Sequence, residues 1–364
     1  MATGLRVIPG DAINNVPVID LSGANVRCPS YLGINSFVKD NNNRNSNITR
    51  EFALKGIAGS DCFTIPDTTA IIDIPAGTGL QKTVIFLDGL TTTPTKLTAK
   101  FTGNYVVRQW VANLCKLRSY QILPATATQG FLSGVANDKK RYGIKLSNGS
   151  TNFFEVTDQA LVGQCIWKSA TTANPTGWIT INQNWTLPTI SGFGKERYLP
   201  FIHWNDPNVV LDYDPNSYTI SVWKKSGVDM VKGSAKVQVV IFCDGAAVPA
   251  HNGGITMRNS KNQVTFSTAK TPFLLKGFVN SSGGAAPAGT ARMMVPVIRT
   301  GIHVYQQGGW YHFNYRGLKM SNNVLSNDRG ANAGSDTDQY GAVINPPGKV
   351  VSIRLPVIDA ANYM

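Results

Sequence analysis

Short apolar runs alternate with Asn-, Gly- and Ser-rich turns along the whole chain. One word recurs: GLRV at 4–7, GIKLSN at 143–148, GITMRN at 254–259 and GIHVYQ at 301–306. In the last three, a polar turn follows, and then an apolar or aromatic return: SNGST before NFFEV, NSKNQ before VTF, QQGG before WYHFNY. Alternation of period two on both sides of an Asn/Gly turn predicts a β-hairpin. YTISVWKKSGVDMV, at 218–231, is a looser version of the same design.

Further strands are expected at IIDIP (71–75), KVQVVIF (236–242), RMMVPVI (292–298) and KVVSIRLPVI (349–358). VIFLDGL (84–90) and VIFCDGA (240–246) share a pattern that reads as a buried strand entering an Asp-Gly turn. KDNNNRNSNITR (39–50), SSGGAAPAG (281–289) and NDRGANAGSDTDQYGA (327–342) read as long polar loops. One segment departs from the pattern. In 104–121, Val107, Trp110, Val111, Leu114 and Leu117 follow helical spacing behind Asn104 as a cap, with two strands as the alternative. The sum is a mainly β chain of tandem antiparallel β-sandwich domains with long polar loops and at most one or two short helices. The expected divisions are 1–135, 136–252 and 253–364.

Composition agrees with strands and polar turns. Only 15% of residues are charged while 42% are hydrophobic, too apolar for a disordered chain. The net charge of +13 raises an anionic partner as a question. The densest basic cluster is Lys139, Lys140 and Arg141, with Lys145 close by, and no nucleic-acid motif accompanies it, so nucleic acid is not the expected partner. Five cysteines without a CxxC pair read as free, mostly buried thiols. The N-terminus lacks the pattern of a secretory signal, and no apolar stretch is long enough for a membrane span.

Candidate chemistry is sparse. The histidines are His203, His251, His303 and His312, and they form no HExxH or HxH motif. His303 and His312 fall on facing arms of one hairpin, where ordinary strand histidines are a better reading than a metal pair. In that hairpin, Tyr311, Phe313 and Tyr315 share one face and look like core. Trp310, His312, Asn314 and Arg316 share the other, the mixture that a carbohydrate or subunit interface uses. Asp212-Tyr-Asp214-Pro-Asn216 starts like a calcium loop, but Ser217 and Trp223 stand where Gly and Glu are needed, so a turn is expected. Asp336 and Asp338 form another isolated acidic pair. No GxSxG, P-loop or dinucleotide fingerprint occurs, and no cofactor is expected. The two carboxylates of a glycosidase cannot be picked out by spacing.

YGIKLSNGSTNFFEV (142–156) and GITMRNSKNQVTFST (254–268) resemble a small hairpin module common in tail proteins of long-tailed bacteriophages. In that module a Tyr/Gly-led strand, an Asn/Gly turn and a strand ending near Phe-Asp-Ser recur. Here Phe154 precedes Glu155-Val156 and Phe266 precedes Ser267-Thr268, so the Asp-Ser ending is absent. The N-terminal MATGLRVIPGD is similar in style to short tail-tip and fibre-associated proteins of the same phages. The resemblance implies a non-enzymatic structural component of the virion's tail tip, baseplate or fibre region. It would be oligomeric in the particle and docked on other tail proteins. Two alternatives stay open: an adhesin for a receptor or host surface polysaccharide, with Trp310, His312, Asn314 and Arg316 as its platform, and a virion polysaccharide-degrading enzyme.

Overall fold

The structure, a computed structural model, describes residues 6–7, 19–20, 28–36, 47–56, 59–73, 83–104, 115–122, 143–147, 152–157, 161–227, 229–243, 255–258, 262, 264–307, 309–337 and 349–364. The fold is mainly β, built from several antiparallel sheets, and the helical pieces among the described residues are the 3-10 turns Lys195–Arg197 and Ala360–Asn362. No helix among them is long and apolar enough to cross a membrane. Two large sheets organise the C-terminal part. Their main strands are β1 (Tyr198–His203), β2 (Asp206–Asp214), β3 (Thr219–Ser226), β4 (Ser234–Cys243), β5 (Met293–Pro296), β6 (Gly301–Gln307), β7 (Trp310–Ser321), β8 (Val324–Thr337) and β9 (Arg354–Asp359).

The seven-stranded sheet runs Gln164–Lys168, β4, β1, β5, β9, Gly277–Asn280, with Ile179–Asn182 also on β4. The nine-stranded sheet runs Asn184–Thr186, β3, β2, β7, β6, Lys349–Val350, and β8 lies on β7. Alternate residues of the two sheets meet in one core: Ile202, Val239, Ile241 and Val295 from the first, Leu211, Ile220, Val222 and Leu318 from the second. Burying each such side chain fully contributes about 1.5–3 kcal/mol.

The seven-stranded sheet is covered on its other face too. Phe201, Val240, Phe242 and Met294 pack with Phe63, Ile65, Tyr120 and Ile122 of a four-stranded sheet. That is why residues 239–242, VVIF, form an unbroken apolar run at the end of KVQVVIF: both faces are inside. The four-stranded sheet in turn sends Leu32 and Leu117 into a core with Ile48, Ile85, Leu97 and Phe101 of another four-stranded sheet.

Hairpins form where the recurring word predicts them: Gly143–Ser147 with Asn152–Thr157, Thr256–Arg258 with Val264–Ser267, and β6 with β7. β3 likewise turns back onto Asp229–Lys232. At the N-terminal copy, Arg6–Val7 pairs with Ile19–Asp20. Several expectations are corrected. Asn104 ends strand Lys96–Asn104, and Leu117 lies in strand Lys116–Ile122, so the ends of 104–121 are strand and not helix. Lys116–Ile122 sits between two strands and feeds two cores by period two, Leu117 to one and Tyr120 and Ile122 to the other, which overrides the helical spacing. The rest of that segment, 105–114, lies outside the described residues.

Residues 327–337 of the expected 327–342 loop belong to strand β8, paired along β7; 338–342 lie outside the described residues. Asp88-Gly89 is no turn: it continues strand Thr83–Thr92 through a bulge. The expected strand over 349–358 is split into Lys349–Val350 and β9. The 281–289 connection contains a short strand, Gly284–Ala285, paired with β8. Of the 39–50 loop, Asn47 onward is strand Asn47–Ala53, and 39–46 fall outside the described residues. Both large sheets contain strands from either side of the expected boundary near 252, while the boundary near 135 falls outside the described residues.

A buried ion pair lies where these layers meet. Arg299, just before β6, donates from Nε to Asp212 Oδ1 of β2 at 2.8 Å, with side chains only 12% and 1% exposed. Its guanidinium lies 3.9 Å over the Tyr315 ring. Burial alone would lower Arg299's pKa, but Asp212, backed by Tyr315 and Asp214, outweighs it and keeps the guanidinium charged. Asp212 Oδ2 also accepts the amide of Ala331 in β8 at 3.1 Å. The Arg299 carbonyl accepts from Thr69 N at 3.0 Å and Thr69 Oγ1 at 2.9 Å, tying in the N-terminal sheets. Asp212→Ala strands a buried cation and is expected to cost about 3–5 kcal/mol in urea denaturation. A loss below about 1 kcal/mol, the range of an exposed pair, would contradict this role.

Candidate functional site

The β6–β7 hairpin turns between Gln307 and Trp310, and Gly309 there has φ +80°. Its register sets His303 opposite Asn314, Tyr305 opposite His312 and Gly301 opposite Arg316. Period two therefore gives one face His303, Tyr305, His312, Asn314 and Arg316. The other face supplies Ile302, Val304 and Phe313 to a core with Ala70, against which Tyr315 and Phe86 pack. Of the expected core trio, Phe313 is buried, Tyr315 is half-buried, and Tyr311's side chain lies outside the described residues. Gly301 is needed where it stands. It has φ +149°, and a Cβ there would collide with the Lys349 carbonyl of the adjoining strand.

The polar face carries a row of rings. Tyr305 stacks on His312, with centroids 4.9 Å apart and planes inclined by 19°, and His303 lies 5.9 Å from Tyr305. Arg316 reaches Asn327 Oδ1 from Nη1 and His303 Nδ1 from Nη2, each at 3.4 Å. A guanidinium only donates, so His303 accepts at Nδ1 and carries its proton on Nε2. Across the ladder, Arg316 stands opposite Arg329, whose guanidinium lies 5.2 Å over the Tyr305 ring. The β7–β8 register shifts between Phe313 and Arg316. On β8, Asp212 holds the Ala331 amide at this bulge, and so fixes which β8 residues face the site.

The four predicted platform residues are thus on neighbouring strand positions but are not equivalent. Trp310 is 46% exposed at the hairpin's end, opposite Gln307. His312 is half-buried in the ring stack. Asn314 is buried, with Oδ1 lacking a hydrogen-bond partner. Arg316 is half-buried, and its Nε also lacks one. His303 and His312 do not converge as a metal pair: one faces Arg316, the other stacks on Tyr305. Among the described residues no three His, Cys, Asp or Glu side chains are grouped to hold a metal. Asp214 accepts from the Asn216 amide at 3.0 Å, the expected turn. Lys139, Lys140 and Arg141 lie outside the described residues, as does the Lys145 side chain; so do His251 and the side chains of Asp336 and Asp338.

Sequence reasoning missed Asn327 and Arg329 because β8 read as loop, and it did not single out Tyr305 on the expected strand of β6. It also missed a groove of about 780 Å³ between the two large sheets, lined by Trp178, Asn205, Asp206, Lys224 and Lys236 among others. Its parts come from four separate stretches, so no local spacing marks it. Trp178 leans on His203 at 5.6 Å, and Lys224 pairs with Asp206 at 3.6 Å.

Residues 4–338 match DUF6453, a family of unknown function. The chain belongs to this family. No curated protein and no solved structure matches it. The matched span takes in the whole β6–β8 face and stops before strand Lys349–Val350 and β9.

Burial lowers the pKa of His303, and Arg316 and Arg329 lower it further, against a smaller opposing pull from Asp328. Burial likewise lowers His203, partly offset by its bond to the Met293 carbonyl. Both rings stay neutral in the fold at a pH where the unfolded chain, with histidines near 6.5, already takes up protons. Stability is therefore expected to fall as pH drops below about 6.5. In ring NMR titrations, Arg316→Gln should move His303 back up toward its ordinary value. An unmoved His303 would contradict the assigned cause.

Proposed function

We propose that the chain is a non-enzymatic structural component of a bacteriophage tail, in the tail-tip, baseplate or fibre region. It docks on other tail subunits, is oligomeric in the particle and resides in the virion. The observation that carries this reading is the repeated hairpin of the phage-tail style, which recurs within a stack of antiparallel sheets. The β6–β8 face supports it further. Its stacked rings and cations offer contact surface, with flat aromatic area and directional donors.

A second reading, an adhesin for a host surface polysaccharide, is favoured by one observation. Trp310 stands 46% exposed beside the polar face, where a sugar ring could stack on its indole.

The tail reading predicts that purified virions contain the chain in a fixed ratio to other tail proteins; finding it only in infected-cell lysate would refute it. For the adhesin reading, Trp310→Ala should leave the circular-dichroism spectrum intact while host-cell binding is lost. Unchanged binding would remove that reading.

A further inference from the structure

We propose that the β6–β8 face binds an oxyanion carried on a sugar, either a carboxylate or a phosphate ester, with Arg316 and His303 as the paired ligands. The proposal rests on the adhesin reading of this face and adds the chemistry of what it would recognise. Arg316 is the centre of the argument. It is half-buried, yet both of its hydrogen-bond partners, Asn327 and His303, are neutral and sit at 3.4 Å, the long end of a hydrogen bond. Its Nε has no acceptor among the described residues. A partly desolvated guanidinium usually has a carboxylate in bidentate contact. Here burial lowers its pKa, and only Asp328 pulls the other way.

Its surroundings add positive charge. Arg329 occupies the cross-strand position directly opposite, an arrangement that costs stability when both groups are charged. Asp328 lies within 3.9 Å of Lys319. Among the described side chains, the titratable and charged groups of this face are His303 and Tyr305 from β6, His312 and Arg316 from β7, and Arg329 from β8, while Lys319 and Asp328 occupy the alternate positions of their strands. An oxyanion beside Arg316 would supply the missing acceptor. It would also favour the imidazolium of His303, turning a neutral acceptor into a second charged donor. Next to that point, the Tyr305–His312 stack and the exposed Trp310 offer flat apolar surface for the body of a pyranose.

The test titrates the purified chain with glucuronic acid, glucose 1-phosphate and glucose, followed by calorimetry and by His303 ring NMR. Either charged sugar, or both, should bind where glucose at the same concentration does not. Binding should raise the His303 pKa and weaken with added salt. The two charged ligands separate a carboxylate source from a phosphate source. Arg316→Gln should lose binding by about tenfold or more. Because binding raises the His303 pKa, the parent should bind more tightly as pH falls; should Arg316→Gln not fold, His303→Gln serves in its place and should lose that gain. No binding of either charged sugar, equal binding of glucose, or undiminished binding by both variants would overturn the proposal. A chain that binds host cells through Trp310 but binds neither charged sugar would overturn this proposal and leave the adhesin reading standing, whereas charged-sugar binding with host-cell binding unchanged in Trp310→Ala would remove that reading alone.

Discussion

The buried pair between Arg299 and Asp212 is the constraint on which the arrangement of the sheets depends. A carboxylate and a guanidinium taken out of water must be nearly fully satisfied, or the fold loses more than the pair contributes. Here every part is used. Asp212 divides its oxygens between Arg299 and the Ala331 amide. Arg299 also covers the Tyr315 ring and, through its carbonyl, holds Thr69. The pair thereby fixes strands β2, β7 and β8 and a loop of the N-terminal sheets with respect to one another.

From that joint follows the geometry of the polar face. The bulge in β8 sits where Asp212 holds Ala331, and the register after it sets Arg329 against Arg316. Gly317, between Arg316 and Leu318, allows β7 to approach β2 closely, since a Cβ there would meet the Leu211 carbonyl. Below the face, Ile302, Val304 and Phe313 are packed on Ala70, so the rings and cations above stand on a rigid floor. A surface of this kind suits recognition, because its groups are ordered before any partner arrives.

Much of the fold was legible in the sequence, for identifiable reasons. The hairpins at 143–157, 256–267 and 301–321 announce themselves because a polar turn of fixed chemistry separates two alternating arms. The face carrying Trp310, His312, Asn314 and Arg316 follows from the same alternation. What was not legible depends on tertiary pairing. The helical spacing read over 104–121 runs into Leu117, yet two neighbouring strands claim strand Lys116–Ile122. β8 is rich in Asn, Gly and Asp, and only its long pairing with β7 makes it a strand. The missing half of the site, Arg329 and Asn327, was hidden with it. The interleaving of strands across 252 is equally invisible, because sheet order is set by cores that join distant segments.

The most direct measurement is amide hydrogen exchange, resolved by peptide, on the parent chain and on Asp212→Ala. The account predicts that protection falls at the β8 bulge around Ala331 and along the facing β7 residues 314–316. The amides of β4 in the twice-covered sheet should stay protected. Protection at 328–333 equal to that of the parent would contradict the claim that this ion pair sets the geometry of the face.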